Sequence, residues 1–124
     1  MICDHIRDLQ EFENLYKTRP MANQYDFDWL INNPLLFCFY GEGEDKSLKG
    51  YLTVQDEEGE LTLSGAAVRK NMADNIDAII FVCNAIKQDI YSYTYSKPAR
   101  ICLLKAGFKH IKDDKYIRRY ANNG

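Results

Sequence analysis

From Asp4 to Tyr16, Ile6, Leu9, Phe12 and Tyr16 recur three and four residues apart, which puts them on one stripe of a helix. Thr18-Arg19-Pro20 ends that stretch, because proline lacks an amide donor and disfavours helix in the residue before it. The spacing of Met21, Tyr25 and Trp29 predicts a second helix from Met21 to Ile31, stopped by Asn32-Asn33-Pro34. Then the period changes. Leu35–Tyr40, Leu48–Gln55 and Leu61–Val68 read as three strands joined by short polar loops, an antiparallel meander. Met72, Ile76, Ile79, Ile80, Cys83 and Ile86 form the wide apolar stripe of a helix from Asn71 to Lys87. Gln88–Tyr95 alternates and is a strand, after which Ser96 caps a helix that carries Pro98 in its first turn. That helix runs to Ala106, with Gly107 as its left-handed stop, and Phe108–Ile111 and Lys115–Tyr120 close as a hairpin over Asp113-Asp114. The order αα-βββ-α-β-α-ββ predicts an α/β protein, a single mixed sheet with helices on both faces, with residues 1–124 as one domain. A helix crosses between Val68 and Gln88, so the strands on either side of it should pair in parallel.

Composition narrows the class. The 124 residues are 46% hydrophobic and 13% aromatic, which excludes disorder as the main state. The longest apolar runs, Pro34–Tyr40 and Ala78–Cys83, fall far short of the about 20 residues of a membrane span. No basic segment followed by an apolar one opens the chain, so the expected location is the cytoplasm. Cys3, Cys38, Cys83 and Cys102 form no C-x-x-C pair and read as reduced, mostly buried thiols. Cys3 and His5 are too few to make a metal site. Net charge is −2, yet residues 1–96 carry 8 Lys/Arg against 16 Asp/Glu, and residues 97–124 carry 8 against 2. The basic residues alternate with core-type residues, so the expected arrangement is a basic end facing the acidic remainder of its own domain. Nucleic acid is not an expected partner.

Few residues point to chemistry by themselves. The turn at Val68–Met72 leads a strand into a helix whose first amides, with Arg69 and Lys70 beside them, suit a phosphate. No Walker motif and no G-x-G-x-x-G accompanies it. Tyr91, Tyr93 and Tyr95 can stack on a ligand, although a tyrosine ladder covered by a helix is the expected arrangement. Glu57, Glu58 and Glu60 can supply a carboxylate base, although a solvated hairpin tip accounts for them more cheaply. His5 and His110 have no serine or cysteine partner at a telling spacing and read as surface or cap residues.

The segment Ser96-Lys97-Pro98-Ala99-Arg100-Ile101-Cys102-Leu103-Leu104-Lys105-Ala106-Gly107-Phe108 resembles the GCN5-related N-acetyltransferase family. That family has an Asn-x-x-Ala helix that passes a tyrosine and ends in Lys-x-Gly-Phe, and this segment holds the register without a gap. The preceding Asp89–Thr94 is similar to the family's fifth strand. The resemblance implies an acyl-CoA N-acyltransferase-like fold over nearly the whole chain.

It also exposes departures. The family's general-acid tyrosine falls at Leu103, which has no transferable proton, and its coenzyme A-contacting asparagine falls at Ser96. The pyrophosphate loop, Arg/Gln-x-x-Gly-x-Gly/Ala, aligns with Arg69-Lys70-Asn71-Met72-Ala73-Asp74, so both glycines are replaced. Met72 puts a side chain where the backbone should approach the phosphates. Asp74 adds a carboxylate, and a like charge about 4 Å away costs roughly 1–4 kcal/mol. The resemblance thus implies cofactor contacts at Val68, Arg69, Lys70, Ala73 and Ser96, and no catalytic residue. The expected function is a non-catalytic acetyltransferase-fold protein that needs no cofactor and binds another protein. In style it resembles acetyltransferase-like proteins of tailed bacteriophages, short and truncated at the first strand, which implies a role in head or virion assembly with a phage structural protein as partner. The alternative is an active N-acetyltransferase that transfers from acetyl-CoA to an unknown amine.

Overall fold

A computed structural model of the chain describes residues 1–18, 25–66 and 71–120. The chain opens on a strand, β1 (Ile2–Asp4), followed by helices α1 (Leu9–Thr18) and α2 (Phe27–Ile31). The meander is β2 (Leu36–Tyr40), β3 (Leu48–Glu57) and β4 (Glu60–Ala66). Helix α3 (Met72–Ile86) then leads to β5 (Ile90–Tyr93), α4 (Lys97–Lys105) and the hairpin β6 (Lys109–Lys112) and β7 (Lys115–Arg118). All seven strands lie in one sheet, in the order β1-β2-β3-β4-β5-β7-β6. Neighbours are antiparallel except β4 and β5, which run parallel as the α3 crossover requires.

Two boundaries differ from the sequence pattern, one because of a distant strand and one because of a local cap. The first helix begins at Leu9 rather than Asp4, because residues 2–4 pair with Tyr40, Phe39 and Cys38 of β2. Asp4 ends that strand and bonds Arg7 at 2.9 Å, while Asp8 takes over as helix cap for the amides of Gln10 and Glu11. A strand thus stands ahead of the first helix, where the sequence pattern gives none. The second helix begins at Phe27 rather than Met21. Asp26 accepts from the Trp29 amide and caps it, and Tyr25 stays outside, its ring 5.1 Å from that of Trp29. The start of the predicted segment, residues 21–24, lies outside the described residues.

Alternation along the strands divides the core into two layers. Cys38, Tyr40 and Tyr51 meet Phe12 of α1 and Leu30 of α2 on one face. Phe39, Leu52, Val54, Leu63 and Ile90 meet Ala78, Ile79, Val82 and Cys83 of α3 and Cys102, Leu103 and Ala106 of α4 on the other. Helices thus cover both faces, as the sequence predicts. Among the described residues no helix is long and apolar enough to cross a membrane. The four cysteines are free, three of them buried. Burial pushes the Cys38 thiol up to about 12 and that of Cys83 to about 11, which leaves both protonated and unreactive.

The end of α4 follows a Schellman pattern. Phe108 N–H donates to Leu103 O at 3.0 Å and Gly107 N–H to Leu104 O at 3.2 Å, with Gly107 at φ 96°. Arg118 Nε adds a donor to Ala106 O at 2.9 Å, tying the basic end of the sheet to the negative pole of the helix.

Candidate functional site

Strands β4 and β5 form a fork. Among the described residues a single registered pair, Thr62 with Tyr91, joins them. Above it Ser92 Oγ–H donates to Leu63 O at 3.0 Å, and no further ladder pair follows. Val68, Arg69 and Lys70, expected from sequence to contact the cofactor, lie outside the described residues.

The polar residues beside this fork come from strand alternation. Glu57 and Glu60 flank a two-residue loop, Glu58-Gly59, with both loop residues at positive φ (55° and 89°), the primed turn that matches strand twist. The turn pairs Glu57 directly with Glu60, so the two carboxylates share one sheet face. Tyr25 O–H donates to Glu57 Oε1 at 2.9 Å, and Gln55 Nε2 donates to both the Tyr25 hydroxyl and Glu57 Oε1. Tyr93 O–H donates to Glu60 Oε1 at 3.0 Å, and Lys115 Nζ to Glu60 Oε2 at 2.8 Å. The Lys115 ammonium stands 4.8 Å from the Tyr91 ring centre and 5.8 Å from that of Tyr93.

Charge follows from these contacts. The Lys115 hydrogen bond holds the Glu60 carboxyl below the usual range, and Glu60 in turn raises the Lys115 ammonium. A carboxylate held this way is a weak base and a good counter-ion. Burial raises the Tyr25 phenol, so it remains a donor at neutral pH. Gln55 Oε1 is buried without a hydrogen-bond partner among the described residues, two strand positions from Glu57 on the same face.

Several sequence expectations change here. The tyrosines are not a helix-covered ladder. Ile90 and Ser92 are the residues of β5 that face inward, whereas Tyr91 and Tyr93 point to the face that α1 and α2 leave open. Tyr95, 85% exposed, lies beyond the strand. The hairpin glutamates are more than a solvated tip, because two of the three are tied to tyrosines and only Glu58 sits in the turn. Tyr25, Gln55 and Lys115 had no signal of their own in the sequence. Lys115 becomes visible only once β7 is placed beside β5.

The donor side is mixed. Asn71 caps α3, its Oδ1 accepting from the Asp74 amide at 3.2 Å, and its Nδ2 donating to Asp74 Oδ2 at 2.7 Å. The positive end of α3 therefore already faces a carboxylate of its own, which suits a diphosphate poorly. Ala73 is exposed in the first turn. Ser96 Oγ caps α4 by accepting from the Ala99 amide at 3.4 Å. Leu103 is 5% exposed in the α3–α4 core. The fork, by contrast, suits an extended amide-bearing arm, since above Thr62 β4 pairs with β3 on one side and, among the described residues, has no registered partner on its β5 side. Among those residues no cluster of His, Cys, Asp and Glu could hold a metal ion. His5 is exposed, and His110 stacks on Tyr116 at 5.0 Å.

No family model and no curated protein matches this chain. Solved structures do. A variant of the spermidine N-acetyltransferase SpeG from Vibrio cholerae superposes with a TM-score of 0.70 at 13% identity, covering 98% of each chain. A GNAT-family acetyltransferase from Bacillus anthracis gives 0.64 at 10% identity over 95% of this chain and 93% of the other. Tetrahymena GCN5 gives 0.59 at 10% identity over 97% and 96%. The chain has the fold of the GCN5-related N-acetyltransferases from end to end.

Proposed function

We propose that this protein is an N-acyltransferase that takes an acyl group from acetyl-CoA and gives it to a cationic amine. The observation that carries the reading is the carboxylate pair Glu57 and Glu60, fixed by tyrosines on the open sheet face beside the β4–β5 fork. An alkylammonium group would be met there by two anionic acceptors and by the part-exposed ring of Tyr93, which is hydrogen-bonded to Glu60. The structural likeness to a spermidine acetyltransferase supports an amine with more than one cationic centre.

Acetyl-CoA, when bound, supplies the activated thioester. Its arm would lie along β4 above Thr62, and Ala73 and Ser96 would be its contacts among the described residues; Val68, Arg69 and Lys70 are the further cofactor contacts that the sequence resemblance implies. The ionised Glu60 holds the substrate cation rather than taking its proton, because Lys115 keeps it a weak base. The reacting amine must give its ammonium proton to water before it can attack, and since the side chain at position 103 offers no proton, the departing thiolate would take one from water or from the newly acylated nitrogen. Turnover is accordingly slow. Binding is weak as well, in the high micromolar range, about −5 kcal/mol, because Asp74 opposes the diphosphate.

Calorimetric titration with acetyl-CoA and a free-thiol assay with spermidine test the reading. Glu57→Gln with Glu60→Gln should raise KM for the amine at least tenfold and leave kcat within a few-fold. Absence of thiol release with every amine at saturating acetyl-CoA would overturn it. The capped α3 terminus and the buried Leu103 favour a second reading, a non-catalytic protein that uses the fold as a binding surface. Absence of any acetyl-CoA binding would favour that one.

A further inference from the structure

The sheet ends in two open edges, β1 and β6. Beside β1, a hollow of about 210 Å³ is lined by Met1, Cys3 and Phe39 and by Asp74, Asp77, Ala78 and Phe81 of α3. The charges of β1 are taken up locally, Asp4 by Arg7 at 2.9 Å and the Met1 ammonium by Glu42 at 3.9 Å, so the carboxylates the hollow offers are those of α3. Phe81 is 51% exposed, its ring edge-on to Phe39 at 6.2 Å, so the hollow continues onto exposed apolar surface. At the far end of the sheet, all four residues of β6 are exposed. Ile111 is 46% exposed at the bulge between His110 and Lys112 and has no registered partner on β7. Lys109 and Lys112 flank it. Neither lysine, nor Asp77, has an ionic partner among the described residues.

We propose that the β1 edge of one copy of this chain takes the β6 edge of a second copy, head to tail, with Ile111 entering the hollow beside α3. Open strand edges carry unpaired N–H and C=O groups that pair readily with another strand. Charge selects which edges meet. Two β6 edges set lysine against lysine, whereas β6 against the β1–α3 edge sets Lys109 and Lys112 against Asp77 and Asp74. The contact is heterologous, since each copy keeps a free edge of either kind, so assembly extends into a ring or a chain rather than stopping at a dimer. The carboxylate pair of the candidate site takes no part, and the proposal holds whether or not the protein is an enzyme.

Sedimentation of the full chain at low and high salt is the test. The wild-type chain should associate in a concentration-dependent way at low salt and loosen at least tenfold in high salt. Lys109→Glu and Asp77→Lys, both at exposed positions, should each weaken association at least tenfold while circular dichroism stays unchanged. Mixing the two variants should restore it, because each then offers the other an edge of opposite charge. A wild-type chain that stays monomeric at millimolar concentration in low salt would overturn the proposal, and so would association that Lys109→Glu leaves unaltered.

Discussion

At Gly107 one backbone angle decides how a helix ends. A left-handed residue there closes both Schellman hydrogen bonds, and an added Cβ would meet only the flexible Arg118 side chain, 3.3 Å from Nε. Gly107→Ala should therefore cost at least about 1 kcal/mol, the left-handed penalty with any displacement of Arg118 from Ala106 O added to it, read as a fall in Tm of a few degrees. An unchanged Tm would mean that the turn tolerates a side chain and that α4 ends by another device. Glu60 and Lys115 are decided by charge. Glu60 has its carboxyl lowered, so the contact it supports is complete above the usual glutamate range and is lost as pH falls through the lowered value. Lys115 has its ammonium raised, so its share is complete below the usual lysine range and is lost as pH rises through the raised value. The pair consequently persists across the whole neutral range. In a carboxyl NMR titration Glu60 should show a midpoint below that of an ordinary glutamate, and Lys115→Met should bring it back up. An identical midpoint in the variant would show that Lys115 does not set it.

Elements depend on local signals and on what they meet. Asn71 and Asp74 close the start of α3 reciprocally, and Asn71→Ala should lower stability by about 1 kcal/mol, checked by urea unfolding with an unchanged slope. Such caps are readable from sequence, since polar residue type and spacing carry them, and α3, α4 and the hairpin strands fall where their patterns put them. Of the two misread elements, one takes its partner from far along the chain and the other is set by a local cap. Ile2–Asp4 has no period of its own and becomes a strand because β2, more than thirty residues on, supplies its hydrogen bonds. Tyr25 shares the four-residue spacing of Met21 and Trp29, yet Asp26 caps the helix behind it. The tyrosines of β5 alternate as expected. Which side of the sheet they face follows from the extent of α1 and α2, and no pattern within residues 88–95 encodes that.

For the whole molecule, the expectation that the basic end faces the chain's own acidic remainder holds, among the described residues, for two of its eight cations. Lys115 meets Glu60 at 2.8 Å and Arg119 meets Asp89 at 3.7 Å. What the sequence left dispersed is the site. Glu57 and Glu60 were legible as hairpin acids, and Tyr93 as one of a row. Their meeting depends on the order β4-β5-β7, a property of the whole sheet. The donor side follows the opposite logic, because its obstacles, Met72 and Asp74, were legible as residues and the structure adds their arrangement. Met72 is 36% exposed at the first position of α3, and Asp74 is hydrogen-bonded across the helix start. Replacing both with glycine removes one bulky side chain and one repelling carboxylate, while Asn71 Oδ1 can still accept from the amide at position 74. Glycine in the first turn costs up to about 1 kcal/mol at each position, so the variant should melt earlier than the parent chain. It should nonetheless bind acetyl-CoA at least tenfold more tightly by calorimetry, since a repulsion of roughly 1–4 kcal/mol is relieved. The turnover rate should stay where it was, because Leu103 still offers the thiolate no proton. Tighter binding with unchanged turnover separates the hold on the cofactor from the chemistry. Tighter binding with a matching rise in turnover would place the missing proton donor elsewhere in the fork, and no gain in affinity would mean that the fork does not receive the cofactor.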